Sequence, residues 1–182
     1  AKQFLMLNGK PVLVHTLQAF HKSGLFRAVA LVLPSQNMAA HVSFITSYGQ
    51  MGPMIYIAGG ATSQDSVLNG LKALKPFAAP DEIVCVHDAV RPLIDSRQIL
   101  DCINAAEQFG AAGLGVPVLE TVKRCDAEGR VLETVPRETL WLAKTPQAVR
   151  FELLWRAHET AAAKGFSATD EAGLLEAMGI PV

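Results

Sequence analysis

The chain has 182 residues and a formal net charge of −1; half of its residues are hydrophobic and 18% are charged. This length fits one domain with a sizeable core. The small net charge gives no basic field that would gather nucleic acid, and no apolar run approaches the roughly 18 residues that a membrane helix needs. We therefore expect no nucleic-acid partner and no membrane segment.

The pattern of apolar runs and turn residues predicts alternating helices and strands over most of the chain. The predicted strands are 28–33, 54–58, 82–87 and 113–118. Helices are predicted from Pro11 to Gly24, from an N-cap at Ser35 through Ile45, after Gly60, from a cap at Asp95 or Ser96, over 151–164 and over 170–178. Repeated βα units with short connections predict an α/β fold, doubly wound around a mostly parallel sheet.

The alternation of helix and strand patterns is interrupted between Leu119 and Val135, where two polar-rich strands flank the turn 126–129. This pattern predicts a β-hairpin, and we expect it to protrude from the main sheet as an arm. Residues 1–182 otherwise show no linker and no internal repeat, so they are interpreted as a single domain.

The three cysteines are too few and too widely spaced to form a disulfide framework or a zinc knuckle. They are Cys85, Cys102 and Cys125. Reduced thiols predict a cytoplasmic protein.

Ligands of open α/β sheets bind beyond the carboxyl ends of the strands, and three polar segments follow predicted strands here. Gly59 and Gly60 let a base or a phosphate approach the backbone closely, and the hydroxyl of Ser66 stands near the start of the next helix. The alternative for this segment is a plain turn with an N-cap.

The second segment contains Asp88 and Arg91, directly after the strand at 82–87. A carboxylate at a strand end suits Mg²⁺, which takes one or two carboxylates together with substrate phosphates, and the planar guanidinium of Arg91 suits a phosphate. The alternative is a surface ion pair between the two residues. His87 is interpreted as a packed or capping residue.

The third segment is Thr145-Pro146-Gln147, in which Thr145 could bind a phosphate and Pro146 would stiffen a turn. A fourth polar stretch begins at Thr169. There Glu171 is interpreted as an acidic residue facing a helix N-terminus, whereas both a capping role and a ligand role stay open for Asp170.

Taken together, these segments resemble the methylerythritol phosphate cytidylyltransferases of the non-mevalonate isoprenoid pathway. The matching stretches occur in the family's order along the chain: Lys2-Gln3-Phe4 with Gly9-Lys10-Pro11-Val12, Gly59-Gly60 with Asp65-Ser66-Val67, His87-Asp88-Ala89 with Arg91-Pro92, Glu120-Thr121-Val122-Lys123, Arg137 with Leu140-Trp141, Thr145-Pro146-Gln147 and Thr169-Asp170-Glu171-Ala172.

The resemblance implies a Rossmann-like nucleotidyltransferase that uses CTP, methylerythritol phosphate and Mg²⁺ or Mn²⁺. It implies a catalytic role for Lys2 at the reacting phosphates and for Arg137, which would position the acceptor. It implies nucleotide binding by Gly59, Gly60, Ser66 and Asp88, with Asp88 also beside the metal. It further implies that the acceptor lies among Arg91, Thr121, Arg137 and Thr145, and that the arm 119–135 joins two copies into a homodimer.

The chain departs from the family pattern at three internal positions and at both ends. Ser63 stands where arginine is usual, Glu120 where aspartate is usual and Val90 where alanine is common. The family's first strand with its phosphate loop would precede Lys2, and a further segment would follow Val182. We therefore expect the natural protein to extend beyond both ends.

Two other functions remain open from the sequence. The first is cytidylyl transfer to another polyol phosphate, such as ribitol phosphate. The second is a nucleotide-binding scaffold without catalytic activity, which would fit Ser63. The segments around Thr121 and Arg137 favour methylerythritol phosphate, because specificity on a shared fold depends on the site.

Overall fold

A computed structural model describes residues 2–182, and in it strands and helices alternate as the sequence predicts. The strands are β1 (Met6–Leu7), β2 (Lys10–Pro11), β3 (Val29–Leu33), β4 (Met54–Ala58), β5 (Ile83–Val86), β6 (Ala111–Pro117), β7 (Val122–Cys125), β8 (Val131–Val135) and β9 (Trp141–Arg150). The helices are α1 (Val12–Ser23), α2 (Met38–Thr46), α3 (Ser63–Leu74), α4 (Ser96–Phe109), α5 (Phe151–Lys164) and α6 (Glu171–Glu176), with short 3₁₀ helices at Lys2–Phe4 and Arg137–Thr139.

The larger strands form two groups. Strands β3 and β4 pair in parallel, whereas β9 lies between β5 and β6 and runs antiparallel to both. The α/β class is confirmed, but β3–β4 is the only parallel ladder among residues 2–182. The direction of β9 reverses because the chain leaves the sheet after β6, forms the β7–β8 hairpin and returns beside the strand that it left.

Helix boundaries follow local capping chemistry. Helix α3 begins after Thr62, whose side chain accepts from the backbone N–H of Asp65 while the Asp65 carboxylate accepts from the backbone of Thr62. Helix α4 has the same reciprocal capping box between Asp95 and Gln98, so Asp95 rather than Ser96 is its cap. These bonds satisfy N–H groups that have no partner inside the helix.

The predicted cap at Ser35 is wrong. Helix α2 begins only at Met38, after Asn37 in the left-handed region with φ 57°, and no side chain caps it. Asparagine tolerates that backbone conformation better than most residues, so the turn into α2 is made by backbone geometry rather than by the hydroxyl of Ser35.

The expected turn at Thr145-Pro146-Gln147 is also wrong, because these residues lie inside the ten-residue strand β9. The ladder between β9 and β6 shifts register between Gly113 and Gly115. Proline cannot donate a ladder hydrogen bond and is tolerated at such irregularities. Pro146 therefore marks an irregular point of the strand and not its end.

Three apolar clusters fill the interior. The largest packs α5 and α6 against β9 around Leu154, Leu175 and Val149, a second joins α1 to β3, and a third lies under α4. Between β3 and β5 lies a slot of about 510 Å³, lined also by α1 and α3, which reaches Ser66 and Asp88. No helix among residues 2–182 combines the length and apolarity required to span a membrane.

Candidate active site

A cleft of about 310 Å³ lies where β5 ends, and four separate parts of the chain form its walls. Asp88 and Arg91 come from the loop after β5, and Lys144, Thr145 and Gln147 come from β9. The start of α3 and the segment that leads into α6 complete the lining with Ser63, Gln64, Ala168, Thr169, Asp170 and Glu171. The position agrees with the rule that ligands bind beyond strand ends.

Asp88 and Arg91 form the ion pair that the sequence left open as an alternative. Arg91 Nε lies 2.6 Å from Asp88 Oδ2, and the two side chains are 46% and 49% exposed. Such an exposed pair contributes only about 0–1 kcal/mol to stability. Because both residues also line the cleft, the pair keeps a guanidinium and a carboxylate side by side and accessible to a ligand.

Thr145 fixes the loop after β5 to β9, because its Oγ1 accepts a hydrogen bond of 3.2 Å from the backbone N–H of Asp88. Within the same loop, His87 Nε2 lies 3.1 Å from the backbone oxygen of Arg91 and donates to it. Burial lowers the pKa of His87 and so favours its neutral ring. His87 therefore shapes the loop, as the sequence suggested.

The glycine-rich segment before α3 is held by its own hydroxyl groups. Ser66 Oγ accepts from the backbone N–H of Gly60 at 3.1 Å and donates to the Thr62 carbonyl at 2.9 Å. A β-carbon at position 60 would lie only 2.3 Å from Cβ of Asp65, so only glycine permits this close approach. Ser66 faces the slot beside Asp88, and Ser63 borders both the slot and the cleft.

The start of α6 contains two residues whose roles differ from each other. Asp170 caps the helix, because its Oδ1 accepts from the backbone N–H of Gly173 at 3.0 Å, and its Oδ2 accepts from Gln147 Nε2 at 2.8 Å. Glu171 is only 8% exposed. Burial, assisted by the negative charges of Asp170 and Asp88, raises the pKa of Glu171 to about 7. Glu171 lies in the first turn of α6, at the helix N-terminus as the sequence suggested, and Asp170 takes the capping role that the sequence left open.

Sequence reasoning did not assign roles to two glutamines of this cleft. Gln147 connects β9 to α6, and Gln64 Oε1 accepts from the backbone N–H of Ala168 at 3.2 Å. The only local signal was the spacing of Asp170 and Gly173, which is typical of a helix N-cap. The partners of the glutamines are distant in sequence, so no local pattern identifies them.

The structure brings only part of the predicted site together within one chain. Asp88, Arg91 and Thr145 share the cleft. Among the described residues, Lys2, Thr121 and Arg137 line neither the cleft nor the slot. Lys2 is exposed in the first 3₁₀ helix, and a guanidinium N–H of Arg137 donates to the backbone oxygen of Leu119 at the base of the hairpin.

The cleft fits a divalent metal only together with a ligand. Residues 2–182 contain no group of three or more His, Cys, Asp and Glu side chains that could bind a metal by themselves. The half-exposed carboxylate of Asp88 is nevertheless open to the cleft. Because Mg²⁺ binds through one or two carboxylates plus substrate phosphates, this arrangement suits an ion that arrives with a nucleotide.

An α/β fold with a carboxylate, a guanidinium and a glycine-rich helix entry beyond its strand ends is suited to an enzyme that binds a nucleotide. The family model described as IspD, 2-C-methyl-D-erythritol 4-phosphate cytidylyltransferase, matches residues 1–182. The chain therefore belongs to this family and is an enzyme of the cytidylyltransferase class.

Individual relatives agree with this assignment. A 2-C-methyl-D-erythritol 4-phosphate cytidylyltransferase of Pelotomaculum thermopropionicum is 42% identical over all of this chain and 75% of its own length. A bifunctional IspD/IspF enzyme of Desulforudis audaxviator is 41% identical, and the chain covers 45% of it. The crystal structure of the Thermus thermophilus cytidylyltransferase superposes with a TM-score of 0.81 at 34% identity, covering all of this chain and 80% of that one.

Proposed function

We propose that this chain transfers the cytidylyl group of CTP to 2-C-methyl-D-erythritol 4-phosphate and releases pyrophosphate, as a step of isoprenoid precursor synthesis. The observation that carries the proposal is the cleft at the end of β5, where Asp88, Arg91 and Thr145 meet. The family model matches this chain from residue 1 to residue 182. The three free cysteines are consistent with action in the reducing cytoplasm.

The reaction is an in-line displacement at phosphorus. A phosphate oxygen of the acceptor forms a bond to the α-phosphorus of CTP, and the bond from that phosphorus to the bridging oxygen of the β-phosphate breaks. The electron pair leaves with pyrophosphate. Such a reaction needs positioning and charge neutralisation more than a covalent catalyst, and the cleft supplies groups for both.

The site residues divide into three roles in this proposal. Gly59, Gly60 and Ser66 hold the nucleotide, since the tight contact between Gly60 and Asp65 gives the segment one shape. Arg91, Thr121 and Thr145 bind the polyol phosphate. Lys2 and Arg137 act at the reacting phosphates, Lys2 on the nucleotide and Arg137 on the acceptor.

Asp88 would hold Mg²⁺, or Mn²⁺, together with the phosphates of CTP. When bound, the ion supplies positive charge that offsets the charge on those phosphates. Arg91 lies within 2.6 Å of the same carboxylate, so it keeps that carboxylate oriented toward the cleft and itself offers a donor to the acceptor phosphate.

The arm 119–135 would join two such domains into a homodimer. Its own strands and the strand ends at its base expose large apolar side chains, namely Val116, Leu119, Val131, Leu132, Trp141 and Leu142, which are 46–73% exposed. Large apolar side chains left exposed in one region of a chain favour a protein–protein contact there. Residues 1–182 then act as one catalytic domain, and Thr121 and Arg137 reach the site of the neighbouring copy.

Pyrophosphate release tests the proposed reaction. We expect release that depends on Mg²⁺, with CTP preferred over ATP, GTP and UTP and with methylerythritol phosphate preferred over ribitol phosphate. Full turnover in excess chelator would contradict the metal requirement. Faster turnover with ribitol phosphate would reassign the acceptor, and CTP binding without release for any acceptor would indicate a scaffold.

An aspartate substitution separates catalysis from folding. Asp88→Ala should lower kcat/KM by roughly 100-fold or more but leave the melting temperature almost unchanged, because an exposed ion pair contributes little stability. Asp101→Ala is the matched control, since Asp101 pairs with Arg97 on the exposed face of α4. Equal activity of the two variants would exclude Asp88 from the site.

A further inference from the structure

A buried carboxamide connects strand β9 of the cleft to the start of helix α6. Gln147 on β9 is 3% exposed. Its Nε2 donates to Asp170 Oδ2 at 2.8 Å, and its Oε1 accepts from the backbone N–H of Ala172 at 3.1 Å. A buried amide must satisfy both its donor and its acceptor, and this pair of bonds allows only one orientation of the Gln147 side chain.

Asp170 is used twice at this junction. Its Oδ1 accepts from the backbone N–H of Gly173 and caps α6, while its Oδ2 accepts from Gln147. The first turn of α6 therefore has two attachments, one to its own cap and one to β9. Loss of the Gln147 donor would leave the Asp170 carboxylate with its capping bond but without its connection to the sheet.

The same strand also holds the opposite part of the lining. Thr145, two residues before Gln147, accepts from the backbone N–H of Asp88 at 3.2 Å. Strand β9 thus fixes the loop of Asp88 through Thr145 and the start of α6 through Gln147. Thr145, Gln147, Asp88 and Asp170 all line the cleft, so these bonds set the separation of its walls.

A second glutamine secures the segment before α6 from another direction. Gln64, in the first turn of α3, donates from Nε2 to the backbone oxygen of Phe166 at 3.3 Å and accepts from the N–H of Ala168 at 3.2 Å. The segment 166–172, whose residues 168–171 form this wall of the cleft, is therefore held by one carboxamide from α3 and one from β9.

We propose that Gln147 is a positioning residue for cytidylyl transfer, which acts through Asp170 to hold the wall 168–171 in place beside Asp88 and Arg91. This inference rests on the proposed function for its catalytic consequence. Its structural claim is that the Gln147 carboxamide donates to the Asp170 carboxylate. Exchanging the two groups, with glutamate at 147 and asparagine at 170, would reverse donor and acceptor but keep the hydrogen bond.

The test is this exchange, followed by pyrophosphate release with CTP and methylerythritol phosphate. Gln147→Glu places two carboxylates together, and Asp170→Asn removes an acceptor from either Gln147 or Gly173. Each single variant should lower kcat by roughly 10- to 100-fold, the range for a lost hydrogen bond to a charged group, with less change in KM for CTP. The double variant restores one donor and one acceptor and should return to within about threefold of wild type.

Hydrogen exchange at the amides of Ala172 and Gly173 gives a readout that does not depend on activity. We expect faster exchange in each single variant and wild-type protection in the double variant. Gln98→Glu is the matched control, because it is the same substitution in the capping box of α4, outside the cleft, and it should leave kcat unchanged.

Three results would overturn the inference: single variants with wild-type kcat, a double variant that regains amide protection without regaining kcat, and a double variant that regains neither. If wild-type protein releases no pyrophosphate, the proposed function fails, but the exchange data still decide whether Gln147 and Asp170 hold the wall.

Discussion

At the scale of single residues, Gly60 shows how a missing side chain shapes the site. The contact of its backbone with Asp65 leaves no room for a β-carbon, which would lie 2.3 Å from Asp65 Cβ. The close approach also allows the N–H of Gly60 to donate to Ser66. The segment that we propose to hold the nucleotide therefore depends on glycine at this position.

Gly60→Ala should lower kcat/KM for CTP by roughly 10- to 100-fold, because small misplacements of binding groups are costly in catalysis. Steady-state kinetics measure the effect. Gly70→Ala is the control: its new β-carbon would meet Val32 Cγ2 at an ordinary 3.4 Å, within helix α3, where alanine is favourable. Wild-type kinetics for both variants would show that the segment is not part of the nucleotide site.

His158 is a second residue whose environment has a measurable consequence. It is 1% exposed, and neither ring nitrogen has a hydrogen-bond partner among residues 2–182. Burial lowers its pKa below the ordinary 6.5. The folded protein therefore binds a proton at this ring less readily than the unfolded chain. As a result the free energy of unfolding is unaffected by this titration above pH 6.5 and decreases as the pH falls below it.

His158→Leu should raise the free energy of unfolding at pH 7.5 by about 1–3 kcal/mol, since it removes an unsatisfied buried group. The difference from wild type should widen by pH 5.5. Denaturant titrations at both pH values measure it, with the exposed His21→Leu as control. A difference that stays constant between the two pH values would contradict the proposed titration of His158.

At the scale of elements, the two helices with complete capping boxes differ in what they support. Helix α3 starts at the cleft, with Ser63 and Gln64 in its lining. Helix α4 has an equivalent box at Asp95, but its start does not line the cleft. The capping box therefore stabilises the helix start in both α3 and α4, but only in α3 does it also shape the cleft.

Thr62→Ala and Asp95→Ala should each cost about 1 kcal/mol of stability, the typical value of an N-cap side chain. Only Thr62→Ala should also raise KM for CTP, because the Thr62 hydroxyl accepts from the backbone N–H of Asp65, the residue that packs against Gly60 in the nucleotide segment. Thermal unfolding and steady-state kinetics of both variants separate the two effects. A similar KM increase in Asp95→Ala would mean that general loosening of the fold changes KM.

At the scale of the whole molecule, the distribution of the site residues favours a shared active site. Asp88, Arg91 and Thr145 line the cleft, whereas Thr121 and Arg137 belong to the arm and its base and line neither cavity of their own chain. Exchange of an element between identical subunits is a low-cost route to a twofold dimer. We therefore expect Arg137 to act in the neighbouring subunit, whereas the family resemblance assigns Lys2 to the site of its own subunit.

Lys2→Ala and Arg137→Ala homodimers should each be nearly inactive. After dissociation and random re-pairing of equal amounts, half of the dimers are mixed, and each mixed dimer has one site with both residues intact. Recovered activity should therefore be about a quarter of wild type. If mixed dimers form but no activity returns, each site is built within one chain.

The sequence by itself determined most of the elements and several of the groups that carry the chemistry. The apolar runs of β3 and β4, the cap at Asp95 and the turn of the hairpin are local patterns, and the structure has them where the sequence predicts them. The strand-end position of Asp88 and Arg91 is equally local. These features could be predicted because short-range periodicity and side-chain capping depend on neighbours within a few residues.

Only the tertiary structure decided how distant segments meet. Strand β9 contains Pro146, which in the sequence predicts a turn rather than a strand. Because β9 runs antiparallel to β5, it brings Thr145 to Asp88 and Gln147 to Asp170. The burial that raises the pKa of Glu171 arises in the same place. Such contacts depend on strand order and direction, which local patterns do not encode, because a strand reads the same whether its neighbours run parallel or antiparallel.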